Sequence, residues 1–356
     1  MTHIHNCHTH IFTIEHVPER FLPLRLVRFL AKYERSERLA RFLNNLNWQS
    51  DKDLFSRYAS FLRQGTNVRQ EDVFRALMDF YPEDTRFVIL TMDMEHMYAG
   101  PPIKNFIQQL DEIVNLLPSF RDKMYPFIFA HPERDNILDL VKKYIDKGFR
   151  GIKIYPPLGY FPFNPELHDV FKYAEDHQIP VMTHCSRGGV YTRKKLSRLQ
   201  QIHPKTGKKL EGRNRKEFTD NFTDPDNFEY LLQEFPNLKI CFGHFGGMDE
   251  LQKFQDSTTR EVWENSWFSK IKGLLKKYPN TYADVSYTFS DLSLVPLLNI
   301  TLLSNDYHNK ILFGSDFYMA NIEGNEYRFS VYLRNELGEA NFKQIAEINP
   351  LRYLGI

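Results

Sequence analysis

The chain has 356 residues, 42% hydrophobic and 26% charged, an ordinary globular balance that can bury a sizeable core. Thirty Phe and 19 Tyr exclude bulk disorder, and 46 Lys plus Arg against 45 Asp plus Glu leave a charge of +1 that calls for no polyanionic partner. No apolar run reaches the roughly 18 residues of a membrane span, the opening MTHIHNCHTH lacks the features of a signal peptide, and Cys7, Cys185 and Cys241 are too few for a disulfide framework, so a reducing, cytoplasmic setting is expected.

In chain order, strands are predicted at 3–9 (HIHNCHT), 86–92 (RFVILTM), 125–131 (YPFIFAH), 149–155 (FRGIKIY), 180–185 (PVMTHC), 239–244 (KICFGH), 281–286 (TYADVS) and 310–316 (KILFGSD). Helical patterns fall between them, among them Asn136–Lys147, Pro165–His177, Phe228–Phe235 and Trp267–Tyr278. Alternation of this kind predicts a parallel α/β sheet, and eight units predict a distorted (β/α)8 TIM barrel. No GxGxxG turn follows the first strand, which removes the main signature of a dinucleotide fold. Two stretches exceed a minimal barrel: about 17–82, read as a helical insertion after strand one, and about 187–225, a basic loop insertion after strand five. With no repeat and no low-complexity linker, residues 1–356 read as one domain.

The histidines matter by where they fall on these strands. His8 and His10 close strand one, and residues i and i+2 of a strand share a face, so both imidazoles can aim at one point. His184 closes strand five, His244 closes strand six and Asp316 closes strand eight. A lone HxH is weak evidence, but four strand ends bring metal-competent side chains to the mouth where barrel active sites are built. Nitrogen and carboxylate donors suit a divalent metal, Zn²⁺ first, with Fe, Mn or Co as alternatives.

The pieces HTHIF, GFRGIKIYPP, IPVMTHCS, ICFGHFGG, YADVSY, ILFGSDF and the closing NPLRYLGI run in order from residue 8 onward. Together they resemble the amidohydrolase superfamily, in its amidohydrolase-related branch. The resemblance implies His8, His10, His184 and Asp316 as metal ligands, with Asp316 also handling the proton of the attacking water. It implies that His244 either binds a second metal or acts on the substrate. Some members of that superfamily carbamylate a strand-four lysine to bridge two metals, and others use one ion.

Lys153 and Tyr155 alternate with Ile152 and Ile154, which places them inside the barrel. A buried ammonium needs a partner or a chemical change. Lys153 is therefore either carbamylated between two metals or paired with an interior carboxylate such as Asp284, and the second alternative, with one metal, is favoured. Tyr155 is expected on the substrate side. Arg134 and Arg187 follow strands three and five; either binds a substrate carboxylate or forms a surface salt bridge. By strand parity the three cysteines point away from the ligand face, into the sheet–helix layer. Residues 187–217 hold 11 Lys or Arg against Glu211 and Glu217, a local +9. This reads as a solvated lid over an anionic substrate, with a nucleic-acid-binding module as the competing reading.

The function expected is metal-dependent hydrolysis of an amide, ester or lactone bond in a small anionic carbonyl substrate, with non-oxidative decarboxylation as the alternative. No membrane or nucleic-acid partner is expected, and homo-oligomerisation is left open.

Overall fold

The computed structural model describes residues 2–20, 69–317 and 326–356. Eight parallel strands lie side by side in sequence order: β1 (His5–Thr9), β2 (Arg86–Leu90), β3 (Met124–Phe129), β4 (Gly151–Ile154), β5 (Val181–Ser186), β6 (Ile240–Gly246), β7 (Thr281–Asp284) and β8 (Ile311–Leu312). The ring closes just beyond β8, where the Cys7 amide donates to the Phe313 carbonyl at 2.9 Å and the Asp316 amide to the His8 carbonyl at 2.8 Å. The result is the expected (β/α)8 barrel.

Helices cover the outside. They include α1 (Gln70–Met78), α2 (Phe106–Phe120), α3 (Ile137–Asp146), α4 (His168–Asp176), α5 (Arg215–Thr223) and α6 (Asp226–Glu234). After β6 come α7 (Met248–Asp256), α8 (Arg260–Asn265), α9 (Trp267–Lys277), α10 (Val295–Leu302), α11 (Glu326–Lys343) and α12 (Asn349–Leu354). Local sequence explains their placement. Asn105 and Gln108 cap α2 reciprocally, and Ile137, Val141 and Tyr144 line the buried face of α3 at helical spacing. No described helix is long and apolar enough to cross a membrane. Of the helical insertion expected at 17–82, residues 21–68 lie outside the described residues; the rest includes α1.

The barrel interior is a separate cluster from the sheet–helix layer. Cys7, Val88, Leu90, Phe127, Met182, Cys241, Tyr282 and Leu312 meet inside it, and Tyr353 of α12 closes the base, donating to the Val181 carbonyl at 2.8 Å. The placement of Cys7 and Cys241 corrects the parity argument; only Cys185 joins the outer layer, against α5. Alternation fails at β1 because its register against β2 shifts between Asn6 and Thr9, and the extra residue lets Cys7 and His8 both face inward. It fails at β6 because His244 and Phe245 have φ of 67° and 46°, a left-handed turn that swings His244 back over the mouth after Gly243 has already faced in.

One buried carboxyl lies behind the closing seam. Glu326, at the start of α11, accepts the Tyr81 hydroxyl at 2.6 Å and is fully buried, and burial pushes its pKa up from 4.5 to about 7. A carboxyl whose folded pKa is raised stabilises the fold fully below its unfolded pKa, and that contribution is lost as the pH climbs through about 7. Glu326→Gln keeps the acceptor and removes the ionisation. Thermal unfolding at about pH 5 and about pH 8 should show a loss of stability in the parent, at up to about 1.4 kcal/mol per pH unit, that the variant lacks. An identical pH dependence in both proteins would contradict the assignment.

Candidate metal centre

The closing seam brings β1 beside the residues that follow β8, and the side chains there converge. Single donor atoms of His8, His10 and Asp316 lie within 4.8 Å of one another, with His10 Nε2 and Asp316 Oδ1 3.8 Å apart. Asp316 has φ of 55°, a left-handed backbone that is costly for a non-glycine residue and persists only where neighbours enforce it. Gly314 is required by the same closeness, since a Cβ there would lie 2.8 Å from the His8 Cβ.

Hydrogen bonds behind the two imidazoles decide which nitrogen is available. His10 Nδ1 is 2.8 Å from the Leu90 carbonyl, which only accepts, so Nδ1 carries the proton and Nε2 keeps its lone pair. His8 Nδ1 lies 2.8 Å from Asp284 Oδ2 and is fixed in the same way. Asp284 is saturated by donors: its other oxygen accepts the His244 amide at 2.9 Å, the Ser286 amide at 3.1 Å and the Ser286 hydroxyl. With its proton so placed, the Ser286 hydroxyl accepts from His244 Nδ1 at 3.0 Å, leaving His244 Nε2 with the lone pair.

Burial keeps the rings neutral, as ligation requires. Desolvation first, and the Lys153 charge with it, holds His8 well below the ordinary histidine range; His10 and His184 are held low chiefly by burial, and His244 is lowered to about 3. Burial raises the Asp316 pKa to about 7. It lowers that of Lys153 to about 8, against the pull of Asp284 and Asp316. The donor chemistry therefore fits a divalent ion held by His8, His10 and Asp316. The set His8, His244 and Asp284 is also compact, but His8 Nδ1 and Asp284 are already bonded to each other and His244 Nδ1 to Ser286. A third set, His96, His131 and Glu133, fits poorly: the Glu133 amide donates to His131 Nδ1, and Lys194 and Tyr98 occupy the Glu133 carboxylate.

The other expected residues fall as follows. His184 is outside the His8–His10–Asp316 set; its ring stands 4.8 Å from that of His244 and 4.4 Å from that of Tyr155. Lys153 is buried in the barrel, in register with Met182 of the interior cluster. The Tyr155 hydroxyl accepts the Val190 amide at 3.0 Å. Arg134 pairs with Asp93 and Glu95, and Arg187 with Glu250 at 2.6 Å while lying over the Trp267 ring. Both arginines thus have carboxylate partners. The basic loop is fastened over the mouth: the Thr192 amide donates to Pro157, the Arg193 amide to Met97, and Lys194 pairs with Glu133. Sequence reasoning gave Asp284 to Lys153 and passed over Ser286. Their i, i+2 spacing in YADVSY, directed at one face, was the available signal.

Fold and donor set define a parallel-barrel protein with a histidine–carboxylate centre at the C-terminal mouth. Residues 108–356 match the family described as amidohydrolase, and the chain belongs to that family, which is in general metal-dependent. No curated protein sequence matches it significantly. Among solved structures it is similar to a protein of Acinetobacter baumannii described as a probable 2-pyrone-4,6-dicarboxylic acid hydrolase, at 11% identity and TM-score 0.54 over 99% of each chain. It is similar as well to a 2,6-dihydroxybenzoate decarboxylase, at 16% identity and TM-score 0.53 over 100% of each chain. An amidohydrolase from Burkholderia multivorans with bound zinc aligns at 9% identity and TM-score 0.51, covering 80% of this chain and 88% of that one. At such identities the likeness is one of fold.

Asp284→Asn tests the hydrogen bond behind His8. An amide can offer its nitrogen to His8 and so favour the wrong tautomer. Zinc affinity measured by competition with a chelating dye should fall about 10–100-fold. Unchanged affinity would separate Asp284 from the ligand.

Proposed function

We propose that the chain is a metal-dependent hydrolase that cleaves an amide, ester or lactone bond in a small, anionic carbonyl substrate, using one divalent ion, zinc in the first instance. The observation that carries this reading is the His8–His10–Asp316 set, in which both imidazoles have Nδ1 occupied from behind and Nε2 free. When bound, such an ion supplies Lewis acidity that activates water and polarises a carbonyl. Asp316 takes the proton of the attacking water and delivers it to the leaving group, a task for a carboxylate that lies beside both the ion and the water. His244, neutral and with its Nε2 lone pair free, faces the substrate as an acceptor and orients it by taking a hydrogen bond from a substrate N–H or O–H or from the attacking water. Tyr155 and His184 form the adjoining wall, and Lys153 below them offsets negative charge without being carbamylated.

Decarboxylation is the second reading, and the likeness to a 2,6-dihydroxybenzoate decarboxylase is the observation that favours it. Loss of carbon dioxide from an aromatic acid leaves an electron pair on carbon that takes up a proton, and Asp316, at the mouth beside the substrate, is the group that would deliver it. Products distinguish the two: incorporation of labelled water oxygen for hydrolysis, release of carbon dioxide for decarboxylation.

His8→Ala combined with His10→Ala should remove the metal from purified protein, read by elemental analysis; full retention would sink the assigned centre. Asp316→Asn has the same shape and should fold, while turnover of the metal-loaded variant should drop about 10²–10⁴-fold. Near-parental turnover would exclude the proton-transfer role.

A further inference from the structure

Two of the three converging donors come from opposite ends of the chain, and the seam between them has little regular pairing. Assigned β8 is only Ile311–Leu312, so residues 313–316 meet β1 outside the strand ladder. One buried side chain spans that gap. Asn6 Oδ1 accepts the Ser315 amide at 3.0 Å and the His8 amide at 3.4 Å, while Nδ2 donates to the Ser315 hydroxyl at 2.9 Å and to the Tyr81 hydroxyl at 3.0 Å. Tyr81 in turn donates to Glu326, so the amide is braced from outside the barrel. The side chain is fully buried, and both its nitrogen and its oxygen have partners.

We infer that Asn6 is a positioning residue for the metal centre: its amide sets the interval between His8 and Asp316 by gripping the backbone beside each. The inference rests on the metal reading proposed above. Its geometry is direct. Ser315 immediately precedes Asp316, and Asn6 holds that residue at both its amide and its hydroxyl. Together with the bond from the Asp316 amide to the His8 carbonyl, these contacts over-determine the left-handed backbone that aims the Asp316 carboxylate at His10. The register shift between Asn6 and Thr9 gives the arrangement a further use: the Asn6 contact to the His8 amide fixes where the bulge falls. An asparagine meets this demand because it accepts and donates from one rigid plane. Alanine offers neither.

The test separates placement of the ligands from ordinary stability. Zinc dissociation constants and melting temperatures of the metal-free proteins are measured for the parent, Asn6→Ala and Tyr81→Phe. Tyr81→Phe removes the brace to Glu326 but leaves every bond between Asn6, Ser315 and His8 in place. The expected result is zinc binding about 10–100-fold weaker in Asn6→Ala and near parental in Tyr81→Phe, with both proteins less stable than the parent. Parental affinity in Asn6→Ala overturns the inference, as does an equal loss of affinity in Tyr81→Phe. If Asn6→Ala does not fold, Ser315→Ala, which deletes only the gripped hydroxyl, is read in its place: weakened zinc binding supports the inference and unchanged binding overturns it. A parent chain that takes up no zinc overturns the metal reading itself, a result distinct from a variant that binds zinc normally.

Discussion

An imidazole binds a metal only through a nitrogen that carries no proton, and the hydrogen bonds at the mouth of this barrel meet that requirement in two histidines. His10 is fixed by the carbonyl of Leu90 on the neighbouring strand, and His8 by the carboxylate of Asp284 from across the interior. Each partner is an acceptor, so each ring carries its proton on Nδ1 and its lone pair on Nε2, which in His10 lies 3.8 Å from Asp316. Asp284 does more than orient one ring. By accepting from the His244 amide and from Ser286 it also sets the turn that carries His244 and the tautomer of its ring. One buried carboxylate on β7 thus governs residues of β1 and β6, although sequence separates it from His8 by 276 positions.

How much of this could be read from the sequence depends on how regular each strand is. The eight strands, their order and helices such as Ile137–Asp146 and Trp267–Lys277 follow from periodicity, because each element buries one face against a continuous layer. His8, His10, His244 and Asp316 were visible as polar residues at strand ends. Cys7 and Cys241 were misread for one reason: parity holds only in an unbroken strand, and β1 carries a register shift while β6 ends in a left-handed turn. Both irregularities sit beside the site. Asn6 gave no signal of its own, since an asparagine inside an apolar strand is informative only once its partners at Tyr81 and Ser315, far off in sequence, are known.

The same irregularities account for the backbone cost of the centre. His244 and Asp316 adopt positive φ without being glycines, and each is accompanied by hydrogen bonds that hold it there: the His244 amide to Asp284, the Thr288 hydroxyl to the His244 carbonyl at 2.6 Å, and the Asp316 amide to His8. Positive φ at non-glycine residues recurs elsewhere, at Tyr98, Asn136, Gln178 and Tyr287, but at His244 and Asp316 it falls on residues that present functional groups.

The base of the barrel has a consequence for traffic. Tyr353 packs at a tilt against Phe127 and Tyr282 and closes an interior packed with Cys7, Met182, Cys241 and Leu312, so the floor beneath Lys153 is solid and apolar. Nothing can pass through the barrel from end to end. Whatever reaches the centre arrives from the strand C-termini and must leave by the same opening, across which the segment from Val190 to Lys194 is tied to Tyr155, Pro157, Met97 and Glu133. The hydrogen bonds and the ion pair that fasten this strap are therefore contacts that any widening of the opening has to break.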